Sequence, residues 1–177
     1  MARVDPHDPG PEVGRKRGEE SAEAARKPIK VAGGEVRSGT ASWTDPTMTA
    51  PGVFYPDGAR TAEDRLKFYA SQFSVVEVDA TYYALPYKRM AESWVERTPK
   101  DFIFDIKAHA IMTGQPTEVT RLPKVIKEEL PADLKEKKRI YRKDMPRELL
   151  DEVYRHFREA LDPLVEARKL GAVFVYD

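Results

Sequence analysis

The chain has 177 residues, 41% of them hydrophobic and 34% charged, and its 30 basic and 30 acidic residues leave no formal net charge. This composition is typical of a soluble globular domain, and the balanced charge gives no global reason to expect binding to nucleic acid or to an anionic membrane. The absence of cysteine excludes disulfides, thiolate nucleophiles and cysteine-ligated zinc, and no apolar run approaches the roughly 20 residues of a membrane span. Because the N-terminus is also polar, we expect a cytoplasmic protein.

Residues 1–34 are rich in Pro, Gly, Glu, Arg and Ala and contain almost no large apolar side chains. A segment of this kind buries too little apolar surface to offset the entropy lost on ordering, so we predict a disordered polar tail. The composition changes at Glu35, and residues 35–177 are predicted to form a single α/β domain.

Four segments of this domain are typical of β-strands, and helices are predicted between them. The order strand–helix–strand–helix–strand–helix–strand implies a parallel sheet with right-handed crossovers. The predicted strands are Val36–Thr40, Val75–Thr81, Asp101–His109 and Ala172–Tyr176.

The predicted helices have recognisable ends. The first begins at Thr61, which forms a capping box with Asp64, and the second covers Tyr87–Arg97. The third, Pro146–Lys169, contains Asp162-Pro163, which should kink or interrupt it, and Gly171 should end it. A long connection, residues 112–145, separates the third strand from this last helix.

The two central strands are apolar on one face and polar on the other, since side chains alternate along a strand. A doubly wound sheet, whose strands are buried on both faces, should be almost entirely apolar. A barrel interior that becomes polar toward its C-terminal mouth explains the pattern better, so we predict the first half of a TIM-barrel-like (β/α)8 fold, truncated after its fourth strand. The polar face carries Glu77, Asp79 and Thr81 on the second strand and Asp105, Lys107 and His109 on the third.

This polar face predicts a functional site at the C-terminal ends of the strands. Glu77 is the candidate general acid or base, Lys107 an electrostatic or phosphate-contacting group, and His109 a proton-transfer or orienting group. The alternative is a structural ion-pair cluster in which Glu77 and Asp79 neutralise Lys107. No metal site is predicted because too few ligands gather, and no particular cofactor is indicated. The candidate ligand-binding residues are Trp43, Tyr55, Asp79, Thr81, Tyr82 and Asp105.

For the aromatic residues on the loops, packing of a long loop against the rim of the barrel is the alternative to stacking on a ligand. Several short motifs follow one another along the chain, on predicted strands and helices as well as on loops. The motifs are Gly39-Thr-Ala-Ser-Trp43, Phe54-Tyr-Pro56, Glu77-Val-Asp-Ala-Thr-Tyr-Tyr83 with Pro86, Trp94 with Thr98-Pro99, and Phe102-Ile-Phe-Asp-Ile-Lys-Ala108.

Together, from about Val36 to Gly171, these motifs resemble the domain-of-unknown-function 72 family, also called YecE-like. The resemblance implies a TIM-barrel-like fold, a longer chain and no established activity. Members of that family more often carry Asn where this chain has Asp79. They continue beyond the fourth strand with Gln and an aromatic-Pro stretch, where this chain reads Val173-Phe-Val-Tyr-Asp177.

Three functions are compatible with this sequence. The first is an enzyme acting on a small polar ligand that bears a sugar or a phosphate. The second is a non-catalytic binding module, including one that binds nucleic acid through the basic run Lys135–Lys143, although a solvated helix face is the preferred interpretation of that run. The third is an inactive, truncated copy, whose exposed sheet edges would favour oligomers.

Overall fold

The computed structural model describes residue 24 and residues 26–176. The predicted disorder of residues 1–23 and 25 falls outside the described residues. The strands are β1 Ile29–Val31, β2 Gly34–Val36, β3 Val75–Val78, β4 Ile103–Lys107, β5 Thr117–Glu118, β6 Arg139–Ile140 and β7 Leu170–Phe174. The α-helices are α1 Pro46–Thr49, α2 Ala62–Gln72, α3 Ala80–Tyr83, α4 Lys88–Glu96, α5 Lys124–Glu129, α6 Ala132–Lys135 and α7 Arg147–Glu166, and short 3-10 turns cover Ala110–Thr113, Val119–Arg121 and Arg142–Asp144.

A parallel sheet in the order β3-β4-β7 positions the polar residues. β3 and β4 run in register, so that Glu77 lies opposite Asp105. On the other side of β3, Ala41 forms a parallel bridge with Glu77, and the N–H of Ser42 donates to the Glu77 carbonyl at 2.8 Å. The coarse prediction, a mixed α/β domain with parallel strands, is therefore confirmed.

The predicted first strand, Val36–Thr40, is wrong in its bounds. β1 and β2 form an antiparallel hairpin that ends at Val36, and β1 lies within the region interpreted as a tail. The segment that reaches the parallel sheet is residues 40–42. At Gly39 the backbone of this segment lies very close to the backbone of β3. A Cβ on Gly39 would lie 2.8 Å from the carbonyl carbon of Val75. Glycine therefore allows the two backbones to meet at this point.

One face of the sheet is buried and the other is only partly buried, as the alternation of side chains predicts. α4 packs against α7, and α7 turns Val153, Phe157 and Leu161 toward the core at helical spacing. Buried residues of β3 and β4 are Val76, Val78, Phe104 and Ile106, whereas Val75, Glu77, Ile103, Asp105 and Lys107 are partly exposed.

The helix α7 runs without interruption through Pro163, so an interruption at Asp162-Pro163 is wrong, while the kink stays a prediction. Pro163 and its neighbour Leu164 are both buried. Their packing holds the last turn of the helix, although proline has no N–H to donate to the carbonyl one turn earlier.

Among residues 24 and 26–176, no helix combines the length and the apolar character needed to cross a lipid bilayer.

Gly171 does not end α7, contrary to the prediction, but lies in β7. Arg168 takes the left-handed position after the helix, with φ 56°. The N–H of Lys169 then bonds to the Leu164 carbonyl at 2.7 Å, and the N–H of Arg168 bonds to the Val165 carbonyl at 3.0 Å. This pair of hydrogen bonds is a Schellman ending, which satisfies the last carbonyls of the helix.

β7 carries an irregularity beside Asp105. Two residue steps along β4 match three along β7 at this point, and the Asp105 Oδ1 accepts a hydrogen bond from the Ala172 N–H at 2.7 Å. A Cβ on Gly171 would lie 2.5 Å from the Ile103 Cγ2 and would also collide with the Asp105 carboxylate. The bulge therefore requires glycine, and Asp105 is engaged by the backbone of the neighbouring strand.

Candidate functional site

The chain turns at the end of β3 earlier than predicted. A strand over Val75–Thr81 is wrong beyond Val78, because helix α3 begins two residues later. Thr81 is buried, and its hydroxyl lies 2.8 Å from the carbonyl oxygen of Val78 and 2.6 Å from that of Lys107. Thr81 therefore ties β3 to β4, while Asp79 lies half-buried at the turn and does not share a strand face with Glu77.

The predicted strand Asp101–His109 is too long at both ends. His109 is 0% exposed and does not stand at the open end of the polar face. Its Nδ1 accepts the Ile111 N–H at 3.3 Å, which caps the 3-10 turn that follows. A neutral imidazole that accepts through Nδ1 carries its proton on Nε2, and this Nε2 lacks a hydrogen-bond partner in the part of the chain that is described.

The enclosure of His109 determines its charge. Burial lowers the pKa of His109 from 6.5 to about 4, and the nearby backbone of Tyr83 opposes that shift only in part. The charged form is disfavoured because little water reaches the ring. The imidazole is therefore neutral in the folded protein near neutral pH.

We expect the free energy of unfolding to decrease as the pH is lowered from 6.5 toward about 4, because of His109. In this window the unfolded chain binds a proton that the folded protein does not, and a shift of this size corresponds to about 3 kcal/mol. Urea unfolding followed by circular dichroism at several pH values would measure the decrease. The matched variant His109→Asn can still accept the Ile111 N–H but does not titrate, so its stability should vary less with pH. An equal pH dependence in the two proteins would contradict this assignment.

Lys107 lies beside two tyrosine rings. Its Nζ is 5.2 Å from the ring centre of Tyr82 and 4.6 Å from that of Tyr176. Within the described ranges, no carboxylate oxygen of Glu77 or Asp79 lies within the 4.0 Å that defines an ion pair with this ammonium group. The structural alternative of a Glu77–Asp79–Lys107 ion-pair cluster is therefore not formed, and cation–π contacts hold Lys107 at the end of β4.

A pocket of about 370 Å³ opens at the carboxyl ends of β3 and β4. We call it the mouth pocket and define it by Tyr82, Tyr83, Glu118, Arg121 and Arg139. Oxygens of Glu118 lie 3.2 Å from the Arg121 Nε and 3.6 Å from the Arg139 Nη2. The Arg121 guanidinium also lies 5.8 Å from the ring centre of Tyr83. The pocket thus joins two cations, one carboxylate and two phenol rings in a single cleft.

Glu118 and Arg121 of the mouth pocket were not predicted from the sequence, and Arg139 was singled out only as part of the basic run Lys135–Lys143. They meet because β5 pairs with β6, which sets Glu118 opposite Arg139, and because the following 3-10 turn ends at Arg121. β5 and β6 have only two residues each, too few to show an alternation of apolar and polar side chains in the sequence. The available signal was the spacing of Glu118 and Arg121, three residues apart, which favours an ion pair but not a site.

Trp43 and Tyr55 lie in aromatic packing. Trp43 packs edge-on against Trp94, with ring centres 5.8 Å apart, and against Phe104 at 6.5 Å. Tyr55 is buried, its hydroxyl donates to the Trp43 carbonyl, and burial raises the pKa of Tyr55 to about 12. Of the three candidate ligand-binding aromatics, Tyr82 is the one that lines the mouth pocket.

The carboxylates of the polar face have different surroundings. Glu77 and Asp105 stand side by side on adjacent strands, but Asp105 is bonded to the Ala172 N–H, whereas Glu77 is half-buried on the same face. Over residues 24 and 26–176, no group of three or more His, Asp or Glu side chains is arranged to hold a metal ion.

Comparisons with known proteins find one matching family, one curated relative and two similar crystal structures. Residues 37–176 match the family described as "Protein of unknown function DUF72". The chain is 31% identical over 112 residues to UPF0759 protein YunF of Bacillus subtilis (strain 168), and the alignment covers 63% of this chain and 31% of that protein. The chain therefore spans about a third of the length of this curated relative.

Two crystal structures of a DUF72 family protein from Enterococcus faecalis V583 are also similar. The first has 25% sequence identity and a TM-score of 0.42, and covers 62% of this chain and 34% of that one. The second has 27% identity and a TM-score of 0.40, and covers 62% of this chain and 31% of that one.

Proposed function

The chain belongs to the DUF72 family of proteins of unknown function, and we propose that it binds a small, polar, anionic ligand, such as a sugar phosphate, in the mouth pocket. The observation that carries this proposal is the convergence of Arg121 and Arg139 on one open cleft beside two tyrosines. Arginine presents paired N–H donors that match the oxygens of a phosphate or a carboxylate. The tyrosine rings offer flat apolar surface for a sugar ring, and their hydroxyls offer hydrogen bonds.

The position of the pocket supports the same proposal. It lies beyond the carboxyl ends of β3 and β4, where parallel α/β sheets bind their ligands. Residues 40–42, β3, β4 and β7 adjoin one another in chain order, and one face of this sheet is polar. We therefore infer that residues 35–177 contribute four successive strands of a TIM-barrel-like fold.

Glu118 makes the pocket selective. A phosphate competes with this carboxylate for the N–H groups of Arg121 and Arg139, whereas a sugar hydroxyl can donate a hydrogen bond to it. A ligand that carries both groups satisfies the carboxylate and the guanidinium groups together. The pocket should therefore bind a sugar phosphate more tightly than it binds inorganic phosphate or an uncharged sugar.

The catalytic roles of Glu77, Lys107 and His109 stay predictions. Lys107 contacts Tyr82, so it can add a third cation for the anionic group of the ligand. Glu77 is half-buried on the polar face, where a carboxylate can act as an acid or a base. His109 is neutral and enclosed beside the backbone of Tyr83, and we propose that it orients the pocket wall.

Replacing either Arg121 or Arg139 by alanine should weaken sugar phosphate binding by about 10- to 100-fold, which corresponds to one side chain that makes charge-assisted hydrogen bonds. Isothermal titration calorimetry with ribose 5-phosphate and glucose 6-phosphate would measure the change on the whole chain. Arg60→Ala removes an exposed arginine that does not line the pocket, and this control should bind like the wild type. Unchanged affinity in both pocket variants, or no binding by the wild type, would overturn the proposal.

A further inference from the structure

The segment that links β4 to α7 is basic, although the whole chain is balanced. From here on the connection means residues 110–147, which include Arg147, the first residue of α7. Residues 110–147 contain ten basic and six acidic residues, so the rest of the chain carries a compensating acidic excess. The run Lys135–Lys143 alone contains six basic residues and one acidic residue. Positive charge is therefore concentrated on one part of the fold.

This basic run does not lie on one helix face, so the preferred sequence interpretation is wrong. Helix α6 ends at Lys135, residues 136–138 form a turn, β6 covers residues 139–140, and a 3-10 turn follows at residues 142–144. The N–H of Val119 donates to the Lys138 carbonyl at 3.3 Å, which fixes the turn against the start of the connection. The basic side chains consequently project from an irregular, exposed segment.

Residues of the connection line three surface hollows, and each hollow contains basic side chains. The first is the mouth pocket, which contains Arg139. The second, of about 570 Å³, is lined by Tyr141, Arg142, Lys143 and Arg147. The third, of about 560 Å³, is lined by Lys124, Lys127, Lys135 and Lys137. The connection contributes residues to all three hollows, and we refer to them together as its basic surface.

Several cations of this surface are not neutralised by a carboxylate. In the part of the chain that the structure describes, Lys137, Lys138, Arg142 and Lys143 have no acidic oxygen within 4.0 Å. By contrast, Arg155 on α7 is paired with both Glu152 and Glu159. Unpaired cations close together in the chain attract phosphates, since each phosphate contact releases a counterion.

Aromatic rings stand among these cations. Tyr141 is 43% exposed and Tyr83 is 55% exposed, and each has a cation near its ring, with Lys143 Nζ 5.7 Å from Tyr141 and the Arg121 guanidinium 5.8 Å from Tyr83. Exposed rings beside a basic groove are the arrangement on which unpaired bases stack, with about 1–3 kcal/mol gained per base.

We propose that the connection, residues 110–147, is a binding surface for single-stranded nucleic acid. Lys137, Lys138, Arg142 and Lys143 contact phosphates, and Tyr141 stacks on a base. This inference does not depend on the ligand of the mouth pocket, because none of these five residues lines that pocket. It assigns a function to the residues of the basic run other than Arg139, which belongs to the proposed ligand site.

The test measures binding of a fluorescent oligothymidylate of about 16 nucleotides to the whole chain, by anisotropy, between about 50 and 200 mM salt. The wild type should bind with a steep salt dependence. The variant K137Q/K138Q/R142Q/K143Q should lose at least about tenfold in affinity, and the slope of log K against log salt should fall by about 3. The control K88Q/K100Q neutralises two exposed lysines outside the connection and should bind like the wild type.

Two pairwise variants, K137Q/K138Q and R142Q/K143Q, keep the test decisive if the quadruple variant does not fold, and each should remove about half of the slope change. Tyr141→Ala should weaken binding of the oligothymidylate but not of a heparin oligosaccharide. Absence of wild-type binding at low salt, or unchanged binding by both pairwise variants, would overturn the proposal. Equal effects of Tyr141→Ala on both probes would overturn the assignment to single-stranded nucleic acid.

Discussion

Replacing Gly39 by alanine is expected to destabilise the protein by about 3 kcal/mol, at the upper end of the range for overpacking. The new Cβ would collide with the carbonyl oxygen of Val75 and lie 2.8 Å from its carbonyl carbon. These are backbone atoms of β3, so no side-chain rotation can relieve the clash. The next residue, Thr40, accepts the Glu77 N–H at 3.1 Å and donates its own N–H to the Tyr69 hydroxyl at 2.7 Å. Separation of the two backbones would break both contacts.

Urea unfolding followed by circular dichroism measures this loss directly. Gly58→Ala is the matched control, because a Cβ at Gly58 meets nothing within 4 Å, and its stability should stay within about 0.5 kcal/mol of the wild type. Equal stability of the two variants would mean that residues 40–42 are not held against β3.

Lys169→Met should also cost about 3 kcal/mol. Lys169 is only 3% exposed, and its Nζ donates at 2.8 Å to the carbonyls of Val95 and Thr98 and to the Thr98 hydroxyl. Burial lowers the pKa of Lys169, and the charge of Asp101 opposes this shift. Methionine fills similar space but leaves those oxygens at the end of α4 without their donor.

The control for this variant is Lys100→Met, which places methionine at an exposed lysine in the same region of the chain. Its unfolding midpoint should match that of the wild type, since exposed substitutions usually change stability by less than about 0.5 kcal/mol. The double variant K169M/T98V isolates the contact with the Thr98 hydroxyl and should be less destabilised than the sum of the single variants. Additive effects would show that the contact with the Thr98 hydroxyl contributes nothing to this loss.

Local features with a strong sequence signal were predicted correctly. The capping box of α2 forms as expected, with Thr61 and Asp64 bonded to each other's backbone N–H groups. The alternation of Phe104 and Ile106 with Asp105 also holds, because a strand next to helices must bury one face. Both signals are contained in fewer than about ten residues, where local geometry decides the structure.

Features that depend on distant partners were not predictable in the same way. The bend at Asp79 follows from the bonds of Thr81 to two strand ends, one of them on β4. The mouth pocket depends on the pairing of Glu118 with Arg139, which lie far apart in the chain. In each case the contact that fixes the local structure joins residues distant in the chain, so it cannot be predicted from the residue types of either segment alone.

The packing of Trp43 against Trp94 has a consequence for spectroscopy. The chain contains two tryptophans, and their rings lie 5.8 Å apart at 86° to each other. Intrinsic fluorescence and the near-ultraviolet dichroism of coupled indoles therefore report one place, the docking of the loop after Ala41 onto α4. Far-ultraviolet dichroism averages over every helix, so coincidence of the two signals during unfolding would show that this loop leaves α4 in the same cooperative step in which the helices melt.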